Sequence, residues 1–328
     1  MSQRIPFMGL LLGAGVLLAV SSQAGNAAEW RGWNTHVPDY PTSISMEEFD
    51  KLVTERTQGR IKPKTYHNAQ LGQQDEAIQQ MQLGAIDFAV FNMTPLNNIV
   101  PETIAFTLPY VFDSTDHMHR VVDGPIGAEV GKALEAKNMI VLAYQDSGSR
   151  SFYNSKHPVR TPDDLKGMKI RIQSSDLNVA MIEALGANAT PIPFGEVYTA
   201  LQSGVVDGAE NNWPSYESTQ HYRVAKYFTV DEHVMVPEIF VIAKTTWDGL
   251  SKADQDIVRQ AAVESSQLER KLWAERETQS RQKVEAGGAV IADNIDKAPW
   301  KAAMQPVYDK YGANPTIKHL MDEIAAAK

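Results

Sequence analysis

From Ser251 to Glu285 the chain runs about 35 residues without a proline or a glycine. Ile257, Val258, Ala261, Leu268, Leu272 and Trp273 fall near helical spacing along it. At 1.5 Å per residue an unbroken helix there is roughly 50 Å long, against roughly 30 Å for the diameter of a small domain. Such a helix must lie across more than one packed body, as a stiff spine, or else break into two with a kink near Arg270.

The chain before it alternates short apolar strands with amphipathic helices. The spacing predicts strands near Trp30–His36, at Ile61–Tyr66, Ile86–Phe91, Met139–Tyr144, Lys169–Ile172 and Val205–Ala209. It predicts helices over Ser45–Thr57, Asp75–Leu83, Ser114–Lys137 (interrupted at Gly124-Pro125), Ser175–Leu185, Gly195–Gln202 and Pro214–Ala225. Thr161-Pro162-Asp163-Asp164 reads as a helix start, with a Thr cap, Pro at the first position and acids in the first turn. The apolar run Val234–Ala243 reads as a strand crossing back. This alternation predicts an α/β fold of two lobes with a cleft between them.

The N-terminus has a different character. Arg4 is followed by an apolar run from Ile5 to Val20 and by small and polar residues from Ser21 to Ala28. That is the layout of a cleavable secretory signal peptide, 1–28, with cleavage expected after Ala27 or Ala28. The run is short for a membrane anchor, which needs about 20 apolar residues. Cysteine is absent, so export brings neither disulfides nor a lipid-modified cysteine, and thiolate metal sites and cysteine nucleophiles are excluded. The net charge is −9. An acidic surface disfavours nucleic acid, and an anionic ligand would need local positive charge.

Catalytic signals are weak. The chain lacks the nucleophile elbow, the phosphate loop, the dinucleotide fingerprint and the zinc-protease motif. His117 and His119 are two apart and do not share a helix face. Asp207, Glu210 and Glu238 remain open as acid/base carboxylates. Binding signals are stronger. Arg150 sits at a loop-to-strand junction, and Arg171 lies between Ile170 and Ile172 in a strand. A guanidinium suits a carboxylate because its planar fork pairs bidentately, although by pattern alone each arginine reads more readily as a surface ion pair. Asn211 and Asn212 end a strand, where ligands of open α/β sheets tend to sit, or cap the helix before Pro214. Phe194 and Trp213 lie near turns and by themselves read as core more readily than as site; His36 lies on the first loop, where a simple turn accounts for it equally well.

Three stretches carry a resemblance: Gln70–Ala89 (QLGQQDEAIQQMQLGAIDFA), Lys166–Gln173 (KGMKIRIQ) and Pro193–Asn211 (PFGEVYTALQSGVVDGAEN). With them nearly the whole mature chain resembles the substrate-binding subunits of tripartite ATP-independent periplasmic (TRAP) transporters. The resemblance implies two α/β lobes joined by hinge strands, a helix spanning both, and closure around a ligand. The first lobe is expected from 29–147 plus about 239–277, and the second from 148–238 plus about 278–328. It implies that Arg171 matches the ligand-carboxylate arginine and Arg150 a second cationic contact, its spacing to Arg171 differing by one residue from some members. It implies that Phe194 is an aromatic wall, that Asn211, Asn92 and Gln74 contact the ligand, and that Glu238 is another cleft position. His36 lies in the variable first loop.

The ligand class follows from the donors and acceptors. Two arginines serve one carboxylate, and Gln74, Asn92, Asn211 and Glu238 exceed what that carboxylate needs. A polyhydroxylated acid would use them, whereas a dicarboxylate would place a negative charge against Glu238. The tract Glu210–His221 (ENNWPSYESTQH) also looks like members that bind uronic acids. The expectation is therefore a periplasmic monomer without cofactor or metal, binding D-glucuronate or D-galacturonate and delivering it to TRAP permease subunits. Another organic acid (an aldonate or a dicarboxylate) and an enzyme acting on acidic sugars are the alternatives.

Overall fold

The computed structural model describes residues 27–327, together with Met1. The expected signal segment therefore lies almost wholly outside the described residues, and the first strand begins at Ala28, beside the expected cleavage points.

Two sheets organise the molecule. In chain order, β1 (Ala28–Trp33), β2 (Ile61–Tyr66), β3 (Phe88–Asn92) and β4 (Met139–Gln145) belong to the first. Then β5 (Ser149–Asn154), β6 (Lys169–Ile172), β7 (Asn188–Pro191), β8 (Gly208–Asn211), β9 (Tyr227–Thr229) and β10 (Val234–Met235) build the second. The chain returns to the first sheet with β11 (Glu238–Ala243) and ends its strands in the second with β12 (Val290–Ala292). The first sheet is ordered β2-β1-β3-β11-β4, and the second β12-β9-β5-β8-β6-β7 with β10 on β5.

Strand character follows position. β3 and β11 are buried along their whole length, as central strands covered on both faces must be. Phe240 of β11 and Phe88 of β3 pack on Phe49, with ring centres 4.8 and 5.2 Å away. Gly32 of β1 lies where a Cβ would drive into the Phe88 ring, so glycine is required by close approach.

Two strand connections join the sheets side by side. β4 ends at Gln145 and β5 begins at Ser149, while β10 and β11 run the other way, pairing Met235 with Ser149 and Glu238 with Gln145. The run Val234–Ala243 does cross back, but as two strands: Pro237 has no N–H to give a ladder, and the register changes sheet there. The third connection is the helix Lys252–Ala286, a single unbroken element. Its Val258, Ala261 and Ala262 bury in the core of the first sheet and its Val284 in a core of the second. The C-terminal helices also touch both: Trp300, Met304 and Val307 pack with β6, and Leu320 and Ile324 with the first sheet's core.

Three local expectations shift. The strand placed at Val205–Ala209 occupies Gly208–Asn211, because Val206 N–H is still bonded to the Ala200 carbonyl of the preceding helix. The helix from Pro214 ends at Ser218, followed by Gln220 in the left-handed region (φ 58°). The Thr161 start yields only a 3-10 turn, Pro162–Leu165, although its Thr161–Asp164 capping box forms. Gly167 (φ 77°) then turns the chain into β6.

Candidate functional site

A cleft opens between the two sheets beside the strand crossings, and every expected site residue lines it: His36, Gln74, Asn92, Arg150, Arg171, Phe194, Asn211 and Glu238. The space between its walls, counted out to solvent, is about 600 Å3.

The two arginines differ. Both are buried, at 3% and 2% exposure. Arg150, on β5, faces Glu210 of the adjacent antiparallel β8, and four of its five N–H donors are taken by Glu210 and Asn211. Nε donates to Glu210 Oε2 at 2.5 Å, a terminal nitrogen donates to Oε1 and to the Glu210 carbonyl at 2.8 Å each, and the other donates to Asn211 Oδ1 at 2.8 Å. Behind this pair, His233 lies 3.6 Å from Glu210 and 2.6 Å from Asp231. Burial works against the Glu210 carboxylate, but Arg150 and His233 overcome it and hold its pKa at about 2. Burial also opposes the His233 cation, yet Asp231 and Glu210 bring its pKa up to about 9. Arg150, Glu210, His233 and Asp231 thus form a charge-balanced chain that runs back from the cleft wall.

Arg171 has no such balance. Its Nε donates to the Ile192 carbonyl at 2.8 Å. Its terminal nitrogens have no hydrogen-bond partner among the described residues, and no ion pair reaches it there. Burial, only partly offset by the field of Glu210, lowers its pKa to about 10. It remains a cation at neutral pH, presented to the cleft with two donors' worth of fork unused.

The amides are partly committed. Gln74 clamps the end of β3, its Nε2 donating to the Asn92 carbonyl at 2.7 Å and its Oε1 accepting from Asn92 N–H at 3.3 Å. Asn92 Oδ1 accepts from Thr94 N–H and from Gln173 Nε2 across the cleft, both at 3.2 Å. Asn211 Oδ1 takes Arg150 and the Asn212 N–H. The side-chain nitrogens of Asn92 and Asn211 are left for a guest. At the other end, the His36 ring stacks on Tyr40 (3.8 Å between centres) and meets the Phe194 edge (5.6 Å). His36 Nε2 stands 3.9 Å from Glu238 Oε1, and Thr42 donates to the other Glu238 oxygen at 3.3 Å.

The sequence reading missed several wall residues: Thr35, Gln73, Asp75, Ser147, Gln173 and Ser215 also line the cleft, as does Asn212. Gln173 was within reach, since it lies two residues beyond Arg171 and so shares its strand face. Asn212 is both a wall residue and a cap, its Oδ1 accepting from Ser215 N–H at 2.8 Å. No grouping of potential metal ligands occurs among the described residues, and none of their helices is long and apolar enough to cross a membrane.

Comparison with known proteins gives the setting for this cleft. Residues 34–314 match the family described as bacterial extracellular solute-binding protein, family 7. A solute-binding protein of Chromohalobacter salexigens is 47% identical over 316 residues, 96% of this chain and 94% of that protein. A TRAP periplasmic solute binding protein from Sulfitobacter sp. NAS-14.1, solved with bound β-D-galacturonate, is 49% identical with a TM-score of 0.88, covering 90% of this chain and 98% of that one. One from Chromohalobacter salexigens, solved with bound D-glucuronate, is 47% identical with a TM-score of 0.89, covering 91% and 100%. The chain therefore belongs to family 7 of the bacterial extracellular solute-binding proteins, the solute-binding subunits of TRAP transporters.

Proposed function

We propose that this protein captures a D-hexuronate, glucuronate or galacturonate, in the periplasm and hands it to TRAP permease subunits. One observation carries the carboxylate end of this reading: Arg171 is a buried cation lining the cleft whose outer guanidinium nitrogens have no partner among the described residues. A ligand carboxylate would complete it with a bidentate pair. Arg150 stands by with four of its five donors spent on Glu210 and Asn211, and acts by holding Asn211 in place and adding positive potential.

The rest of the cleft supports a hydroxylated body. Asn92 and Asn211 offer N–H donors, and Glu238 offers acceptors at the end lined by His36 and Phe194. A second carboxylate there would meet Glu238 at close range, which disfavours a dicarboxylate. The Sulfitobacter and Chromohalobacter relatives, solved with galacturonate and glucuronate, support the same class. Binding then draws the open–closed equilibrium toward the closed form, which the permease would recognise. The ligand leaves chemically unchanged.

The test is calorimetry on purified mature protein with both hexuronates, an aldonate and a C4-dicarboxylate. Tight binding of a hexuronate with recovery of intact ligand supports the reading. Preference for another acid keeps a solute-binding protein and discards the uronate, and steady ligand consumption would reveal an enzyme. Losing one buried charge partner costs about 2–5 kcal/mol, so Arg171→Ala weakens binding by roughly thirtyfold or more. Arg171→Lys is also impaired, because an ammonium cannot form the fork. Near-normal affinity in either variant removes Arg171 from the anchor role.

A further inference from the structure

Beyond the His36–Phe194 pair lies a second cavity. Its walls, counted out to solvent, enclose about 800 Å3. His36, Thr35, Gln73 and Phe194 line both spaces, so the two rings stand as a partition with one space on either side. The second cavity draws its walls from both sheets: Asn68 and Ala69 from the loop after β2, and Tyr198, Ser218, Thr219 and His221 from the helices flanking β8.

The two spaces differ in chemistry. The first is walled by Asp75, Glu238, Arg150 and Arg171. The second has no Asp, Glu, Lys or Arg in its lining. What it has are hydroxyls, amides and aromatic faces. His221 adds a specific signal, being 1% exposed. One ring nitrogen, Nδ1, is held by the Tyr153 hydroxyl at 2.7 Å. The other, Nε2, has no partner among the described residues. Burial, reinforced by Arg171, drives the His221 pKa down to about 3, so the ring is neutral and fixed in place. With Nδ1 held by Tyr153, Nε2 is the ring atom free to hydrogen-bond a guest. A mere passage for ligand entry requires neither a neutral polar lining nor a fixed imidazole.

We infer that this cavity is a second sugar subsite, taking a neutral sugar joined by a glycosidic bond to the uronate held on Arg171. The inference rests on the uronate reading of the first space and extends it from a monosaccharide to an acidic disaccharide. The neutral ring would lie against Tyr198 and hydrogen-bond to His221 and the Ser218–Thr219 edge, with the Phe194 ring turning away from His36 to admit the linkage. No charge is required of it, and an acidic second unit gains nothing there.

The experiment titrates free D-glucuronate and glucuronate–hexose disaccharides, in both linkage orders, into the wild type, Ser218→Trp and Tyr198→Ala. Neither position contacts the first space. The expected result is that one linkage order binds the wild type within about tenfold of free glucuronate. Ser218→Trp then weakens that disaccharide at least tenfold and leaves free glucuronate within threefold. Tyr198→Ala weakens it at least threefold with the same selectivity, and decides the matter if the tryptophan variant does not fold. Two results overturn the inference while leaving the uronate reading standing: free glucuronate binds but both disaccharides are more than a hundredfold weaker, or the folded variants weaken free sugar and disaccharide alike. Failure of free glucuronate itself overturns both.

Discussion

Arg171 and Arg150 lie in one cleft, yet their neighbours give them different chemistry. Arg150 meets Glu210 because β5 and β8 pair antiparallel, bringing Phe152 opposite Glu210 and Ser151 opposite Asn211, with Arg150 next along the strand. Glu210→Gln would strand the Arg150 charge in a buried site. Breaking a buried pair by removing one partner costs roughly 3–5 kcal/mol, and the expected outcome is a loss of that order in urea unfolding. His233 makes the stability pH-dependent. Its folded pKa, about 9, lies above its ordinary value near 6.5, so its contribution is complete below about 6.5 and is lost as the pH rises through 9. Glu210, held at about 2, contributes in the opposite sense: fully above the ordinary carboxylate value, and progressively less as the pH falls through 2. Stability measured across pH should therefore be greatest between roughly 5 and 6.5 as far as these groups decide it. His233→Gln should abolish the decline between pH 6.5 and 9, a decline of ~2–3 kcal/mol. An unchanged alkaline limb in that variant would assign the decline to other groups. Both arginines could be picked out in the sequence as candidates, but their division of labour could not, because a strand partner sixty residues away decides it.

At the scale of elements, the crossings carry the mechanical argument. Gly148 sits in the β4–β5 connection with φ 58°, and a Cβ there would press on Glu277 and the Trp273 indole of the long helix. The left-handed conformation alone costs a non-glycine residue about 1–2 kcal/mol. Gly148→Ala should lower stability by at least that much and shift the open–closed balance, read as a changed apparent affinity and as altered Trp273 fluorescence on ligand addition. Gln173 and Asn92 are joined across the cleft at 3.2 Å, and Gln173→Ala should speed ligand release with little effect on melting. The strands with uninterrupted apolar runs, such as β3, and the long helix Lys252–Ala286 were legible in the sequence to within a residue or two, whereas the first helix, Pro41–Arg56, starts four residues before its expected Ser45. The short β7, β9 and β12 were not. Three or four residues carry too little pattern, and these strands exist because β6, β5 and β9 offer them an edge.

On the scale of the whole molecule, the long helix makes the two halves one object. Besides its apolar contacts with both cores, its Arg276 reaches Asp39 at 3.4 Å on one side and Glu217 at 2.8 Å on the other. Denaturation should accordingly be a single transition, coincident by far-UV and near-UV circular dichroism. Two separated transitions would show that the spine does not couple the halves. Saturating hexuronate, at ~1,000 times Kd, should stabilise this transition by about 4 kcal/mol. The α/β alternation, the absence of cysteine and the family could be read from the sequence, because they depend on local periodicity, on composition and on long matching stretches; that the long helix is unbroken could not. Only the tertiary structure decided which arginine is neutralised, which amides are spent on their own backbone, and that a second, uncharged space lies beyond Phe194. Each of those depends on groups distant in the chain that folding brings within a few ångströms, where a hydrogen bond or an ion pair is either made or left open.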